Sequence, residues 1–407
     1  MSGHDSYREN HYVPQWYQRH FPSENERHHI LKVLFFKPKQ HIGKGGEVRF
    51  DPAEQTKPHK HCFVERDLYT TNFQGIDNTE IEQYFLQGID NNGKRAVSAF
   101  SELEKQDNVV GNHFSNLITY LCTQKLRTPK GLDWLAEKAS TRDKKRTLFL
   151  LQKYKQLYGA IWSECIWQIA DASLSGTKFI ISDHPVTVYN RECPPSSEHC
   201  RGWNDPDIRY TGTHTLFPLS SEKILLLTNL AWVRNPYGSA LDYRPNPSLQ
   251  RNAIFKALEI QDRRILTEEE VLQINFILKM RAYKCIAAAK SDWLYPERHI
   301  DERDWGNFGS GYLLMPDPRE VSFTREMYIG YKDGSSAAID EYGRTPIDAD
   351  YADKKRADEE WETFHRFKGD FARMVGRKKR GQILKRFSDS GIDSDEYSES
   401  YHQSMIQ

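Results

Sequence analysis

The spacing of apolar residues along this chain changes period twice, and each change marks a change of expected structure. From Thr79 a helix is expected: Thr79 can cap, Glu80 and Glu82 suit a first turn, and Ile81, Phe85 and Ile89 recur at helical intervals. A second helix spans about Asn112 to Lys125 and stops before Thr128-Pro129, because proline disfavours the α conformation in the residue before it. A third follows at about Lys130 to Glu137, and a longer one from Arg142 through Ala170 with a break near Gly159. The period then shortens. Lys178–Ser182, Val186–Tyr189, Thr213–Phe217 and the strongly apolar Lys223–Thr228 read as strands. Thr267-Glu268-Glu269-Glu270 is a capping box opening a final core helix, whose face of Val271, Leu278, Ala282 and Ile286 predicts a run to about Lys290. Beyond it, Asp333-Gly334 is a hairpin turn between Met327–Tyr331 and Ala337–Ile339.

The flanks behave differently. Tyr12 to Phe21, with Trp16, Tyr17 and Phe21 on one face, is expected to dock as an N-terminal arm. Residues 38 to 61 are rich in Gly and Pro and read as irregular loop with a short strand at Val48–Phe50, followed by a strand within Cys62–Tyr69. A charged helix from about Ala352 to Val375 carries Trp361, Phe364, Phe371 and Val375 on one side. Arg373 to Arg386 then holds seven basic residues and no acidic one, and Ser388 to Glu399 five acidic residues and no basic one. The expected class is α+β, predominantly helical, with a small central sheet and a C-terminal hairpin and helix. The expected organisation is a core domain at 1–290 including the arm, an α/β extension at 291–387 ending in the basic helix, and a disordered acidic tail at 388–407.

Composition narrows the function classes. The 407 residues carry 57 basic and 57 acidic side chains, so whole-molecule charge gives no pull toward nucleic acid or anionic membrane. Mean hydropathy is −0.76, no apolar run approaches a membrane span, and the start lacks a signal-peptide core, which reads as cytosolic. Six cysteines without a CxxC pair fit reduced, buried thiols. Cys193, His199 and Cys200 match no strong zinc spacing, and Pro194-Pro195 between them reads as loop. GxxxxGK[ST], GxGxxG, GxSxG and HExxH patterns are all absent, so nucleotide-loop and serine-hydrolase readings have no local support.

The richest stretch is Phe179 to Val186, where an apolar strand delivers Asp183 and His184 and is then stopped by Pro185. His184 is a candidate base and Asp183 a candidate partner to a metal or a histidine, although neighbours in a regular strand point to opposite faces. The alternative is that Asp183 satisfies backbone donors in a turn before the proline and that His184 is a surface ring. His11 sits beside a second proline-stiffened segment and reads either as a base or ligand or as a hydrogen-bonded core histidine. His113, Leu117, Tyr120, Gln124 and Arg127 form a stripe at helical steps, and Arg127 can fork onto an anion or pair with Asp90. Asn275 falls on an apolar helix face, so a backbone segment or a ligand must answer its amide.

These motifs in this order resemble domain-of-unknown-function family 4238. The resemblance rests on His11-Tyr12-Val13-Pro14-Gln15-Trp16-Tyr17 with Phe21, Gln124 with Arg127-Thr128-Pro129, Phe179 to Val186, Phe217-Pro218-Leu219-Ser220 and Asn275, and spans about residues 9 to 290. In the family pattern Glu often stands at the position of Asp90, and Asn at that of His184. The family implies positions and no activity, substrate or cofactor. The leading expectation is a hydrolase-like pocket built from His11, Arg127, Asp183 and Asn275, with Asp90, Gln124 and His184 as further members, suited to phosphodiester cleavage with or without a divalent metal. The competing expectation is a non-enzymatic module in which these residues form a structural polar core. There, nucleic acid would meet the basic run of Arg377, Lys378, Lys379 and Arg380.

Overall fold

The computed structural model describes residues 9–22, 29–43, 45–73, 76–78, 86–102, 109–141, 143–203, 205–248, 259–310, 312–351 and 353–383. Two sheets organise it. The larger has six strands in the order Thr187–Asn190, Thr213–Pro218, Lys223–Thr228, Ile166–Asp171, Gln261–Ile265 and Gln382–Ile383. All neighbours are antiparallel except Gln261–Ile265, which runs parallel to Ile166–Asp171. The smaller has four antiparallel strands: Ile181–Ser182, Cys285–Ala288, Ile30–Phe35 and Glu54–Pro58. Every residue of Ile166–Asp171 and Thr213–Pro218 is buried, so the centre of the larger sheet is covered on both faces.

The fold is therefore mixed α+β, with 39% helix and 21% strand, and the expectation of a predominantly helical chain with a small sheet is corrected. Two errors account for much of the difference. The helix expected to reach Ala170 is Lys144–Glu164, and the chain turns extended at Cys165 to continue as Ile166–Asp171. The capped helix expected to reach Lys290 is Glu268–Arg281, and after an extended Ala282 the chain forms Cys285–Ala288. Both strand segments are apolar runs short enough to pass for further helical turns. Pairing with Lys223–Thr228 in one case and Ile30–Phe35 in the other outweighs local preference. Ile30–Phe35 and Glu54–Pro58 lie outside the expected strands altogether.

Other elements form as their chemistry predicts. Both halves of the capping box are made: Glu270 N–H donates to Thr267 Oγ1 at 3.2 Å, and Thr267 N–H donates to Glu270 Oε2 at 2.9 Å. The hairpin pairs Met327 with Ile339, and Gly334 takes φ +82° in its turn. The helix Lys354–Val375 buries Phe364, Phe367 and Phe371 against Leu230, Trp232 and Val233, whereas Trp361 stays 44% exposed at its margin. The segment Thr79 to Phe85 and the acidic tail lie outside the described residues; the helix nearby is Gln87–Ser101. Among the described residues no helix is long and apolar enough to cross a membrane.

Candidate functional site

The segment Asp183–Val186 is the crossover between the two sheets, leaving Ile181–Ser182 of the smaller and entering Thr187–Asn190 of the larger. Its two ionisable residues face different surroundings. The Asp183 carboxylate accepts three backbone N–H bonds, from Tyr283 at 2.8 Å, Lys284 at 2.5 Å and Cys285 at 3.1 Å. Burial pushes its carboxyl up, and the three amides oppose that shift. The His184 ring points the other way, into a polar cluster beneath a cavity.

That cluster is assembled at a helix junction. The helix Val109–Arg127 ends, Thr128 caps the next by accepting Gly131 N–H at 3.2 Å, and the helix Pro129–Lys138 begins. The turn is so tight that a Cβ on Gly131 would lie 2.5 Å from the Lys125 carbonyl oxygen, which leaves room only for glycine. Lys125 and Lys130, on either side of the turn, thereby converge on one carboxylate, Asp205, with the Lys130 bond at 2.7 Å. Lys125 also donates to the Val186 carbonyl at 2.9 Å, and Lys130 to the Arg281 carbonyl at 2.8 Å. His184 bridges Thr128 Oγ1, 2.6 Å from Nδ1, and Asp205, 2.9 Å from Nε2.

Electrostatics assigns the protons. Burial opposes charge on Asp205, but Lys125, Lys130 and the His184 bond hold its carboxyl well below the ordinary range. An ionised carboxylate only accepts, so Nε2 carries the histidine proton and Nδ1 accepts from Thr128. Burial, reinforced by Lys125, pushes His184 down to about 3 and keeps it neutral. Burial also pushes Lys125 down to about 8, against the attraction of Asp205. With both lysines protonated, the floor carries one net positive charge.

Above it opens a cavity of about 430 Å³. Trp134, Tyr154 and Tyr158 line one part, with Trp134 and Tyr154 edge to face at 4.9 Å. Tyr210 and Tyr243 form another part, stacked at 5.2 Å, with Arg209 5.0 Å from the Tyr243 ring and paired to Asp207 at 2.6 Å. Thr128 is not among the lining residues, so its hydroxyl is not presented to a guest.

Of the residues expected to form a site, only His184 lines this cavity. Asn275 is fully buried and spends both ends of its amide on backbone, accepting from Ile180 N–H at 3.2 Å and donating to the Lys178 carbonyl at 2.9 Å. Arg127, Asp90 and Gln124 do meet: Arg127 Nη2 lies 2.8 Å from Asp90, and Nε donates to Gln124 at 2.8 Å. Gln124 in turn donates to the Tyr12 carbonyl at 2.8 Å, tying the arm to this helix. His11 is 2.9 Å from the Lys60 carbonyl and 3.2 Å from the Gln15 amide. In the basic run, Lys379 pairs with Glu320, and Arg380 donates to the Tyr312 carbonyl at 2.9 Å and lies 3.6 Å from Glu270. Arg377 and Lys378 are exposed.

Sequence reasoning missed Lys125, Lys130 and Asp205. The lysines had a readable signal, since they flank a Thr-Pro helix break. Asp205 had none, because it sits in a loop without periodicity. Among the described residues no group of three or more His, Cys, Asp or Glu side chains is arranged to hold a metal.

The family model described as Protein of unknown function (DUF4238) matches residues 9–161 and 155–292, and the chain belongs to that family. No curated protein and no solved structure matches the chain.

Proposed function

We propose that this chain is a binding module whose cavity takes an anionic ligand with a planar ring, a nucleotide or the exposed end of a single nucleic-acid strand. The observation that carries this reading is the pairing of a cationic floor, Lys125 and Lys130 sharing one Asp205, with aromatic walls in one cavity. Aromatic faces stack on any base, and buried ammonium groups attract phosphate where water competes least. Exposed Arg377 and Lys378 offer a further contact for a strand's backbone.

Phosphodiester cleavage, the other expectation, has weaker support. A general base needs a free lone pair, and both His184 nitrogens are engaged, one by Thr128 and one by Asp205. The carboxylate of Asp183 is likewise spent on backbone amides.

The test is titration of a fluorescently labelled adenosine monophosphate and a short single-stranded oligonucleotide into the full chain and into Tyr243→Ala. Tyr243 is 54% exposed, so its loss should leave melting unchanged. Base stacking on one aromatic ring is worth about 1–3 kcal/mol, so affinity should fall roughly 5- to 150-fold. Absence of saturable binding by the wild-type chain, or equal affinity in Tyr243→Ala, would reject the reading. Turnover of the oligonucleotide that His184→Gln abolishes would restore the hydrolytic one.

A further inference from the structure

An ammonium group has three N–H donors, and the fold spends two on each lysine of the cavity floor. Lys125 donates to Asp205 and to the Val186 carbonyl at 2.9 Å, and Lys130 to Asp205 at 2.7 Å and to the Arg281 carbonyl at 2.8 Å. One N–H remains on each. The two ammonium groups bond opposite oxygens of one carboxylate, so they stand side by side, and both lysines line the cavity although they are only 3% and 4% exposed. His184 adds neither charge nor donor, because it is neutral and both its nitrogens are engaged.

Behind this floor lies a third cation. Arg281 is 1% exposed, and its guanidinium meets the Cys193 carbonyl, the Cys200 thiol and the Trp305 ring. Among the described residues it pairs with no carboxylate. Its charge is felt by Lys125, and its carbonyl anchors Lys130. Asp183, whose charge is felt by Lys130, is spent on three backbone amides. Three buried cations therefore share one directly paired carboxylate, that of Asp205, which leaves an excess of two positive charges. Buried charge is strongly disfavoured unless compensated, and arginine cannot shed its proton. The side of the floor open to the cavity is where an anion can supply the balance.

We propose that the floor is a receptor for a terminal phosphate monoester, two of whose oxygens accept the remaining N–H of Lys125 and of Lys130. Such a receptor rests on the nucleotide reading of the cavity and narrows it: the phosphate that is recognised ends a molecule and does not lie within a strand. Two phosphate oxygens repeat, from the cavity side, the forked geometry that the Asp205 carboxylate offers from the other. A monoester carries a charge of about −1.5 to −2 at pH 7, which matches the excess, whereas a diester carries a single charge and leaves part of it uncompensated. A diester also continues on both sides of its phosphorus and needs two ways out, while a monoester can stop where the lysines are buried.

The experiment titrates the full chain, near neutral pH, with adenosine, adenosine monophosphate, cyclic adenosine monophosphate and inorganic phosphate. It adds a short oligonucleotide phosphorylated at its first nucleotide, at its last or at neither. Hydrogen bonds to charged groups set the expected preference, so the monophosphate should bind roughly 10- to 150-fold more tightly than adenosine or the cyclic form. Lys125→Met should remove most of that preference and leave the affinity for adenosine unchanged; if this variant does not fold, the wild-type series decides alone. A phosphorylated oligonucleotide that binds more tightly than the bare one identifies a strand end as the source of the phosphate, and preference for the mononucleotide over all three identifies a free nucleotide. Equal affinity for adenosine and its monophosphate, or tighter binding of the cyclic form, would overturn the receptor and leave base stacking in place. Inorganic phosphate that raises the melting midpoint, with no nucleotide binding more tightly than phosphate itself, would uphold the receptor and reject the planar ring. Binding of none of these ligands would reject both.

Discussion

Asp183 and His184 are neighbours in the chain and belong to polar clusters built in opposite ways. Asp183 turns toward the smaller sheet, where its oxygens hold three consecutive backbone amides at residues 283 to 285. His184 turns toward the helix junction, where its partners are the side chains of Thr128 and Asp205 at the base of a cavity. Two of these amides belong to the bend that leads into Cys285–Ala288 and the third opens that strand, so the carboxylate fixes the strand's entry and the first cluster is architecture. Side chains beside open volume can exchange partners with water or a guest, so the second is where a ligand can be recognised. The lesson is that adjacency of an acid and a histidine in sequence does not make a catalytic pair when the chain crosses between sheets between them.

The strongest way to break this comparison is Asp183→Ala. It would strand three buried N–H groups, each costing about 1–3 kcal/mol, so chemical denaturation should show a loss on the order of 4 kcal/mol. A variant as stable as wild type would show that the carboxylate is not architectural. Asp205→Asn should cost less, about 3 kcal/mol, although it removes the counter-charge of two lysines, because their ammonium groups can swing toward cavity water. A cost above that of Asp183→Ala would erase the distinction between the two clusters.

A smaller effect sharpens the comparison through pH. In the folded chain His184 stays neutral down to about 3, whereas in the unfolded chain it takes a proton near its ordinary 6.5. Between those values the unfolded state binds more protons, so stability falls as pH drops through the window, by about 1.4 kcal/mol per pH unit. Below the ordinary carboxylate range Asp205, whose folded form is held ionised, adds to the loss. Denaturation midpoints measured from about pH 6.5 to about pH 4.5 should fall steeply in wild type and flatten in His184→Gln. Equal slopes would place the acid-sensitive group elsewhere.

Much of the fold was legible because local rules were strong where they applied. The Thr267–Glu270 box, the Asp333-Gly334 turn, the Thr128-Pro129 break and the apolar Lys223–Thr228 run each carry their cause within a few residues. Asn275 was legible as a question, a polar residue on an apolar face, and the structure answers it with backbone from Lys178 and Ile180. The pairing of Arg127 with Asp90 was equally open to sequence reasoning, because helix ends and opposite charges are visible in a string of letters.

By itself, then, the amino-acid sequence determined where helices start and stop, which faces are apolar and which family the chain resembles. Only the tertiary structure decided that Ile166–Asp171 and Cys285–Ala288 leave their helices to become strands, since pairing partners more than 50 residues away supply the hydrogen bonds. It alone brought Lys125, Lys130 and Asp205 together beneath a cavity. Local preference acts over a turn of helix, while a site is made by whatever the packed core places side by side, and no spacing along the chain encodes that distance.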